Sequence, residues 1–314
     1  MLAGPGRVEL VGRDAVEPGP GEVVVAVEGC GVCGSHLPLW QGRPWFDYPL
    51  APGAPGHEGW GRVEAVGEGD VGGVAAGTRV AFLSGDAFAE KVVVPAAHLV
   101  ALPSGLDGVA FPGEALGCGF NAAARSGFGP GQRVAVVGVG FIGAVIVWAA
   151  AAAGARVIAV SRRPFALDVA RVMGASETVP LRDRAAVVAA VAELTGGRMC
   201  DVAVEAVGMQ EPLDLAGELT RVRGRLVVAG FHQDGPRTVD LQLWNWRGID
   251  VVNAHERDPE AYLAGIGAAV AATESGGFDP APLSTHRFPL DRLGRALDAM
   301  VERPDGFLKA WVQP

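Results

Sequence analysis

Cysteine, lysine and long hydrophobic runs are all scarce in this sequence. Only four of the 314 residues are cysteines, which excludes a small fold held together by disulfides. The longest apolar run covers residues 144–153, whereas a membrane-spanning helix needs about 20 such residues. The first residues contain no charged segment followed by an apolar one. We therefore expect no signal peptide, no membrane partner, and a cytoplasmic protein with reduced thiols.

The charge balance excludes a second class of partner. The net charge is −9, and only two of the 26 basic residues are lysines, Lys91 and Lys309. Such a chain is a poor match for nucleic acid, which binds basic patches. Hydrophobic residues make up 49% of the chain, so the sequence also excludes a disordered protein. At about 150 residues per domain, the length predicts two domains.

The pattern of apolar residues divides the chain into two kinds of domain. Short valine-rich segments bounded by glycine or proline predict strands in the first hundred residues. From about residue 116, such strands alternate with helical segments, which predicts a parallel sheet covered by helices on both faces. The predicted fold is therefore α/β. It has a β-rich domain of residues 1–115 and 254–314 and a doubly wound domain of residues 116–253.

A glycine motif opens the predicted doubly wound domain. Gly138, Gly140 and Gly143 form a GxGxxG pattern that includes Phe141 and Ile142, after a valine-rich strand and before a helix. Here the first glycine permits a tight turn, the second lets a pyrophosphate approach the backbone, and the third lets helix and strand pack closely. The free N–H groups of the helix N-terminus then bind phosphate oxygens. We therefore predict that these five residues bind a dinucleotide.

The end of the next predicted strand bears on which dinucleotide is bound. An acidic residue about 20 positions after the glycines would bind the ribose 2′-hydroxyl of NAD. Ser161, Arg162 and Arg163 stand there instead. A serine and two guanidinium groups suit a 2′-phosphate, which favours NADP(H) over NAD(H). The alternative is that both arginines begin a solvated helix, with NAD bound through Ser161 and backbone groups.

Metal-ligating residue types occur together in the predicted β-rich domain. Cys33, His57, Glu58 and Glu114 supply the thiolate, imidazole and carboxylate groups that hold catalytic zinc. Cys33 and His57 are 24 residues apart, which is too far for a short zinc finger. Ligands from separate loops suit a catalytic site, in which one coordination position stays open to water or substrate.

Three sequence segments in a fixed order resemble a known family. They are GCGVCGSH (29–36), APGHEGWGRVEAVG (54–67) and, after the GxGxxG domain, THRFPLDRLGRALDAM (285–300). Nearly the whole chain resembles the medium-chain, zinc-dependent alcohol dehydrogenase family, in particular the sorbitol and threonine dehydrogenase type. The resemblance implies a GroES-like catalytic domain, a Rossmann domain, and hydride transfer between a nicotinamide cofactor and an alcohol, aldehyde or ketone.

The resemblance also implies a set of metal ligands. Cys33 and His57 become zinc ligands of the catalytic site, and Glu58 lies beside the metal and ligates in some states. Relatives supply the third ligand either from a cysteine or from a glutamate in a Glu-Pro-Leu segment. Glu114 matches the second pattern, and Cys118 is the alternative.

Further roles, and several departures, follow from the same resemblance. Ser35 stands where relatives carry a hydroxyl that hydrogen-bonds the substrate oxygen and passes on a proton, and Lys309 matches a basic position that reaches the cofactor pyrophosphate. His36 replaces an aspartate that usually lies behind the metal ligands, where a carboxylate raises the basicity of a ligating histidine. Pro38 replaces a proton-relaying histidine. The four-cysteine lobe of structural zinc is missing, so we predict one catalytic zinc.

Together these features predict a zinc- and NADP(H)-dependent alcohol dehydrogenase or carbonyl reductase that acts on a small molecule. One alternative is a zinc-free quinone or enone reductase of the same superfamily, which His36 and Pro38 keep open. Another is a catalytically silent NADP(H)-binding protein. Members of the family often dimerise through the edge strands of two Rossmann sheets. The apolar segment 247–253 suits such an edge, so we expect a homodimer.

Overall fold

Two large sheets organise the chain, and each lies in its own structural unit. The computed structural model describes residues 1–314. Its contacts separate a first unit, Met1–Gly117 with Asp258–Pro314, from a second unit, Cys118–Arg257. None of the helices combines the length and the apolar character that a membrane span requires.

The N-terminal part of the first unit consists mainly of strands. In chain order its elements are β1 (Leu2–Gly4), β2 (Arg7–Val8), β3 (Glu22–Gly31), α1 (Leu37–Trp40), β4 (Glu58–Val66), β5 (Arg79–Phe82), β6 (Lys91–Pro95) and β7 (Leu99–Ala101). Helix α2 (Gly113–Ser126) follows, and the boundary between the two units falls within it. Strand β3 is central, because it is largely buried and pairs antiparallel with both β4 and β6. Gly29 of β3 is required there, since a Cβ atom would lie 2.3 Å from the Trp60 ring of β4.

The second unit alternates strand and helix along the chain. Its elements are β8 (Arg133–Val137), α3 (Phe141–Ala152), β9 (Arg156–Ser161), α4 (Pro164–Val172), β10 (Glu177–Pro180), α5 (Arg184–Thr195), β11 (Cys200–Glu205), α6 (Gln210–Leu219), β12 (Thr220–Val228), α7 (Leu241–Arg247) and β13 (Asp250–Asn253). All six strands are parallel, in the order β10-β9-β8-β11-β12-β13. The strand order reverses between β8 and β11, and this is the point at which doubly wound sheets bind ligands.

The C-terminal part returns to the first unit. It contains α8 (Pro259–Glu274), β14 (His286–Pro289), α9 (Leu293–Glu302) and β15 (Ala310–Gln313). Strands β14 and β15 extend the first sheet into the order β14-β15-β3-β4-β5-β7, with β6 paired to β3. The predicted α/β combination of a β-rich unit and a helix-covered parallel sheet is therefore confirmed. Because β15 pairs with the end of β3, Lys309 is placed next to the loop that carries Cys33.

Candidate functional site

Strand pairing brings three of the predicted metal ligands together. Cys33 follows the end of β3, and His57 immediately precedes Glu58, the first residue of β4. The two strands are antiparallel, with Gly31 opposite Glu58, so the end of one lies beside the start of the other. One ligand atom from each of Cys33, His57 and Glu58 lies within 4.8 Å of the others. A sequence separation of 24 residues is thus compatible with one small site.

A buried ion pair lies in the same cluster. Lys309 Nζ is 2.7 Å from Glu58 Oε1 and 2.6 Å from Oε2, and the two residues are 3% and 0% exposed. Burial acts to lower the pKa of Lys309, but the charges of Glu58 and Cys33 outweigh it and raise the pKa above its ordinary value. The ammonium group therefore stays charged beside the carboxylate. A contact of Lys309 with the cofactor pyrophosphate stays a prediction.

Gly31 makes room for this ion pair. A Cβ atom at residue 31 would lie 1.9 Å from Glu58 Oε2 and 2.9 Å from Lys309 Cε. Neither group can move far, because both are buried. A glycine between Cys30 and Cys33 is therefore a steric requirement of the site, which explains part of the GCGVC segment.

The donor set fits a zinc ion. Glu58 Oε2 is buried, forms an ion pair with Lys309 Nζ at 2.6 Å and accepts no further hydrogen bond. A buried carboxylate next to a thiol and an imidazole supplies the mixed S, N and O set that zinc binds. Burial opposes a charge on His57, but its hydrogen bond to Cys33 and the charges of Cys33, Glu114 and Glu58 raise its pKa to about 10. The site therefore attracts cations, and a metal ion competes with a proton for His57.

Glu114 and Cys118, the two candidates for the remaining metal ligand, both lie on helix α2. Glu114 is in the first turn of the helix, and its charge acts on His57, Cys30 and Lys309. Cys118 lies four residues further along, which is about one helical turn. The structure thus places Glu114 in the electrostatic surroundings of the cluster formed by the other three ligands. That Glu114, rather than Cys118, completes the ligand set stays a prediction.

His36, the most unusual residue of the predicted site, contacts two predicted ligands. It is buried, the Cys33 N–H donates to its Nδ1 at 3.2 Å, and its Nε2 is 3.1 Å from His57 Nδ1. Burial and the charges of His57 and Lys309 lower the pKa of His36 well below its ordinary value, so the ring is neutral. The structure shows both ring nitrogens engaged with neighbouring groups.

Ser35 and Pro55 lie in the two loops that carry the predicted ligands Cys33 and His57. Ser35 is half-buried in the short turn Gly34–His36 that follows Cys33. The Pro55 carbonyl oxygen lies 2.9 Å from His57 Nδ1, a contact that sequence reasoning missed. When Nδ1–H of His57 donates to this carbonyl oxygen, Nε2 is the ring nitrogen left to bind a metal. The sequence signal for this contact is the proline that stands two residues before the predicted histidine ligand.

The glycine motif of the second unit has the geometry of a dinucleotide loop. Gly138 follows β8 with φ of +96°, and Gly140 is the N-cap of α3, whose first residues are Phe141 and Ile142. A Cβ atom on Gly143 would lie 2.0 Å from the Gly138 carbonyl oxygen, whereas the space around Gly140 is open. The third glycine is thus needed for packing and the second leaves room for a ligand, as a bound pyrophosphate requires.

The predicted 2′-phosphate residues lie at the end of the neighbouring strand. Ser161 is the last residue of β9, and its Oγ accepts from the Arg163 N–H at 3.4 Å. The Arg163 guanidinium donates to the Val139 carbonyl oxygen of the glycine loop at 3.4 Å. Arg162 is exposed. The three predicted residues therefore lie together at the carboxyl end of β9, next to the glycine loop.

Comparison with known proteins identifies the family. The N-terminal domain model described as "Alcohol dehydrogenase GroES-like domain" matches residues 19–104. The model described as "Zinc-binding dehydrogenase" matches residues 142–270. These matches fall on the sheet of the first unit and, for the most part, on the parallel sheet of the second. The first unit is therefore GroES-like, and the second is of the Rossmann type.

Individual relatives agree with this classification. The chain is 30% identical to sorbitol dehydrogenase of Gallus gallus, over 93% of this chain and 90% of that protein. It is 27% identical to alcohol dehydrogenase of Cupriavidus necator, over 99% and 96%. A zinc-binding dehydrogenase of Sinorhizobium meliloti 1021, solved with NADP bound, superposes with a TM-score of 0.84 at 26% identity, over 100% of this chain and 98% of that one.

The chain therefore belongs to the medium-chain, zinc-dependent alcohol dehydrogenase family. It is an oxidoreductase of the alcohol dehydrogenase type that acts on CH–OH groups.

Proposed function

We propose that this protein is a zinc-dependent alcohol dehydrogenase or carbonyl reductase that uses NADP(H) in preference to NAD(H). The observation that carries the proposal is the cluster of Cys33, His57 and Glu58 in a chain that also has a complete glycine loop. Its substrates are small alcohols and the corresponding aldehydes or ketones. The named activities of the relatives support this class.

The residues of the chain divide the chemical work between them. Cys33 and His57, with Glu58 or Glu114, would hold zinc, which when bound acts as a Lewis acid on the substrate oxygen. Ser35, in the turn after Cys33, would donate or accept the hydrogen bond at that oxygen and hold the transferred proton. His36 is a poor next carrier, because its Nδ1 already accepts from Cys33 and its Nε2 faces His57.

The cofactor preference is supported by charge at the end of β9. Arg162 is exposed and Arg163 lies against the glycine loop, so both can approach a 2′-phosphate. The test compares the dissociation constants of NADPH and NADH, both measured by fluorescence. We expect Arg162→Ala and Arg163→Ala to weaken NADPH binding and to leave NADH nearly unchanged. Tighter binding of NADH by the wild type would contradict the preference.

Metal analysis tests the zinc site. We expect one zinc per chain, lost in Cys33→Ser and His57→Ala and retained in Cys200→Ala, whose buried thiol lies in the second unit. Glu114→Gln and Cys118→Ser then separate the two candidates for the remaining ligand. The matching activity assay uses polyols and secondary alcohols with NADP+ and NAD+, with and without a chelator. Chelator-insensitive turnover in protein without zinc would refute the proposal.

One observation favours a second candidate, a zinc-free quinone or enone reductase. Lys309 already places a positive charge within 2.7 Å of Glu58, so the carboxylate has a cation without any metal. The same experiments decide between the two. NAD(P)H-dependent reduction of quinones or enones by zinc-free protein, without oxidation of alcohols, is the result expected of this candidate.

We also propose that the protein forms a homodimer through the edge of the parallel sheet. Strand β13 is the outer strand of that sheet, and its Val251 is exposed. On the preceding helix α7, Trp246 is 85% exposed. An uncovered edge strand flanked by an exposed indole is a template for pairing with a second copy. We expect the Val251→Lys variant to lose the dimer. Light scattering of the wild type and of this variant measures the molar mass and thus tests the proposal.

A further inference from the structure

A buried carboxylate ends strand β11, away from the glycine motif in sequence. Glu205 is 0% exposed. Its Oε1 accepts hydrogen bonds from the N–H groups of Val207 at 2.6 Å and Gly208 at 2.8 Å. Its Oε2 lies 3.0 Å from His232 Nε2, in the loop after β12. A charged group this deeply buried needs partners on both oxygens, and here one partner comes from a second loop.

The Arg237 guanidinium determines the direction of the hydrogen bonds within this network. Arg237 Nε donates to His232 Nδ1 at 2.9 Å. Because a guanidinium only donates, Nδ1 is the acceptor, and the neutral ring carries its proton on Nε2. His232 Nε2–H therefore donates to Glu205. Arg237 Nη2 also donates to the Gly208 carbonyl oxygen at 3.0 Å. The contacts form a closed ring from Glu205 through His232 and Arg237 back to the loop after β11.

This ring holds two loops against each other, 206–209 after β11 and 229–240 after β12. Their backbones approach so closely that a Cβ atom on Gly208 would lie 2.4 Å from the Phe231 carbonyl oxygen. A Cβ atom on Gly230 would lie 2.6 Å from Glu205 Oε2. Both loops are thus fixed by close packing and by a charged, buried hydrogen-bond network.

The two loops border the ligand crevice of the Rossmann unit. The loop after β11 touches the glycine motif, since a Cβ atom on Gly138 would lie 2.2 Å from Val207 Cγ2. In a doubly wound sheet, the half that carries the glycine motif binds the adenosine side of a dinucleotide, and the other half binds the other nucleotide. Strands β11 and β12 belong to that other half. Phe231, in the loop after β12, is 53% exposed, and its ring is stacked on His255 with centroids 5.4 Å apart.

We propose that Glu205, His232 and Arg237 are positioning residues for the nicotinamide half of the cofactor. They act by fixing the loops after β11 and β12, which border that half. The proposal rests on the proposed dinucleotide-dependent function. It assigns no chemical step to the three residues. Their effect is to keep backbone groups and Phe231 in place before the cofactor arrives, which reduces the ordering cost of binding.

The test compares the whole cofactor with its adenine half. Dissociation constants are measured on the full chain for NADPH and NADH, and for 2′-phosphoadenosine 5′-diphosphate and ADP, which lack the nicotinamide nucleotide. The variants are His232→Ala and Arg237→Ala, which remove side chains that are each 15% exposed. His232→Gln keeps an acceptor and a donor and serves as the conservative variant. Arg171→Ala is the matched control, because Arg171 and Arg237 each pair with an aspartate three residues earlier.

We expect His232→Ala and Arg237→Ala to weaken binding of the preferred whole cofactor by about 10-fold, as loss of a buried hydrogen-bond partner does. Binding of the matching adenine fragment should stay within about twofold of the wild type in all variants, and His232→Gln should recover most of the loss. Equal weakening of cofactor and fragment, or no weakening of either, would overturn the proposal. A wild-type chain that binds neither would instead refute the proposed function and this proposal with it.

Discussion

The chain contains two lysines, and their ion pairs allow a direct measurement of what burial does to a charge. Lys309–Glu58 and Lys91–Glu64 have the same closest distance, 2.6 Å. The side chains of the first pair are 4% and 1% exposed, those of the second 49% and 46%. Residue types and distance are therefore matched, and the surroundings differ. We predict that Lys309→Met destabilises the zinc-free protein far more than Lys91→Met.

The expected magnitudes follow from the geometry. At 2.6 Å the attraction is about 6 kcal/mol for an effective dielectric constant near 20, and desolvation of two buried ions offsets much of it. Removing only the cation leaves a buried, uncompensated carboxylate, which costs on the order of 3–5 kcal/mol. The exposed pair is solvated in both states, so its loss costs about 1 kcal/mol or less.

Urea unfolding in the presence of a chelator measures both effects. The variants are Lys309→Met, Lys91→Met, and the double variant Lys309→Met with Glu58→Gln, which removes the orphaned charge as well. The double variant should be more stable than Lys309→Met alone. Added zinc should also restore part of the loss, because the metal replaces the missing cation at Glu58. If Lys309→Met costs no more than Lys91→Met, the argument from burial is wrong.

Three further predictions concern the same protein. Gly31→Ala should lower stability and release zinc to a chelator at lower concentration, because the new methyl group would overlap Glu58; unchanged zinc retention would contradict the steric argument. His57 has a pKa of about 10 in the folded, zinc-free protein, against an ordinary 6.5. Its contribution to stability is therefore complete below pH 6.5 and lost as the pH rises towards 10, so urea midpoints in chelator should fall over that range, less so in His57→Gln. Ser35→Ala should lower kcat with little change in zinc content, and an equal loss of zinc would assign Ser35 a structural role.

Local patterns allowed much of the fold and the position of the glycine loop to be predicted. The glycine loop was recognisable because its turn, its helix N-terminus and its preceding strand are adjacent in sequence, from Gly138 to Gly143. The arrangement of Cys33 and His57 followed from the family resemblance, and the pairing of β3 with β4 supplies the physical reason. These contacts depend on segments that are either continuous or joined by one antiparallel pairing.

The contacts that were not predictable join distant elements. Lys309 contacts Glu58 only because β15 pairs with β3, and no periodicity in the C-terminal segment indicates that partner. The proximity of His36 to His57 depends on the backbone path of two loops, and the role of Pro55 on a single carbonyl orientation. Glu205 ends strand β11 and His232 lies in the loop after β12, so no spacing rule connects them. In each case, a contact between elements that are distant in sequence determines what the residue does, because its residue type alone is compatible with several roles.

The pairing of β15 with β3 also has a consequence for the order in which the protein is made. Glu58 emerges from the ribosome 251 residues before Lys309, its buried cation. Until β15 is synthesised and docked, Glu58 lacks the buried ammonium group that pairs with it in the complete fold. Because β14 and β15 follow the second unit in the chain, the first unit reaches its final form only after the second has been synthesised.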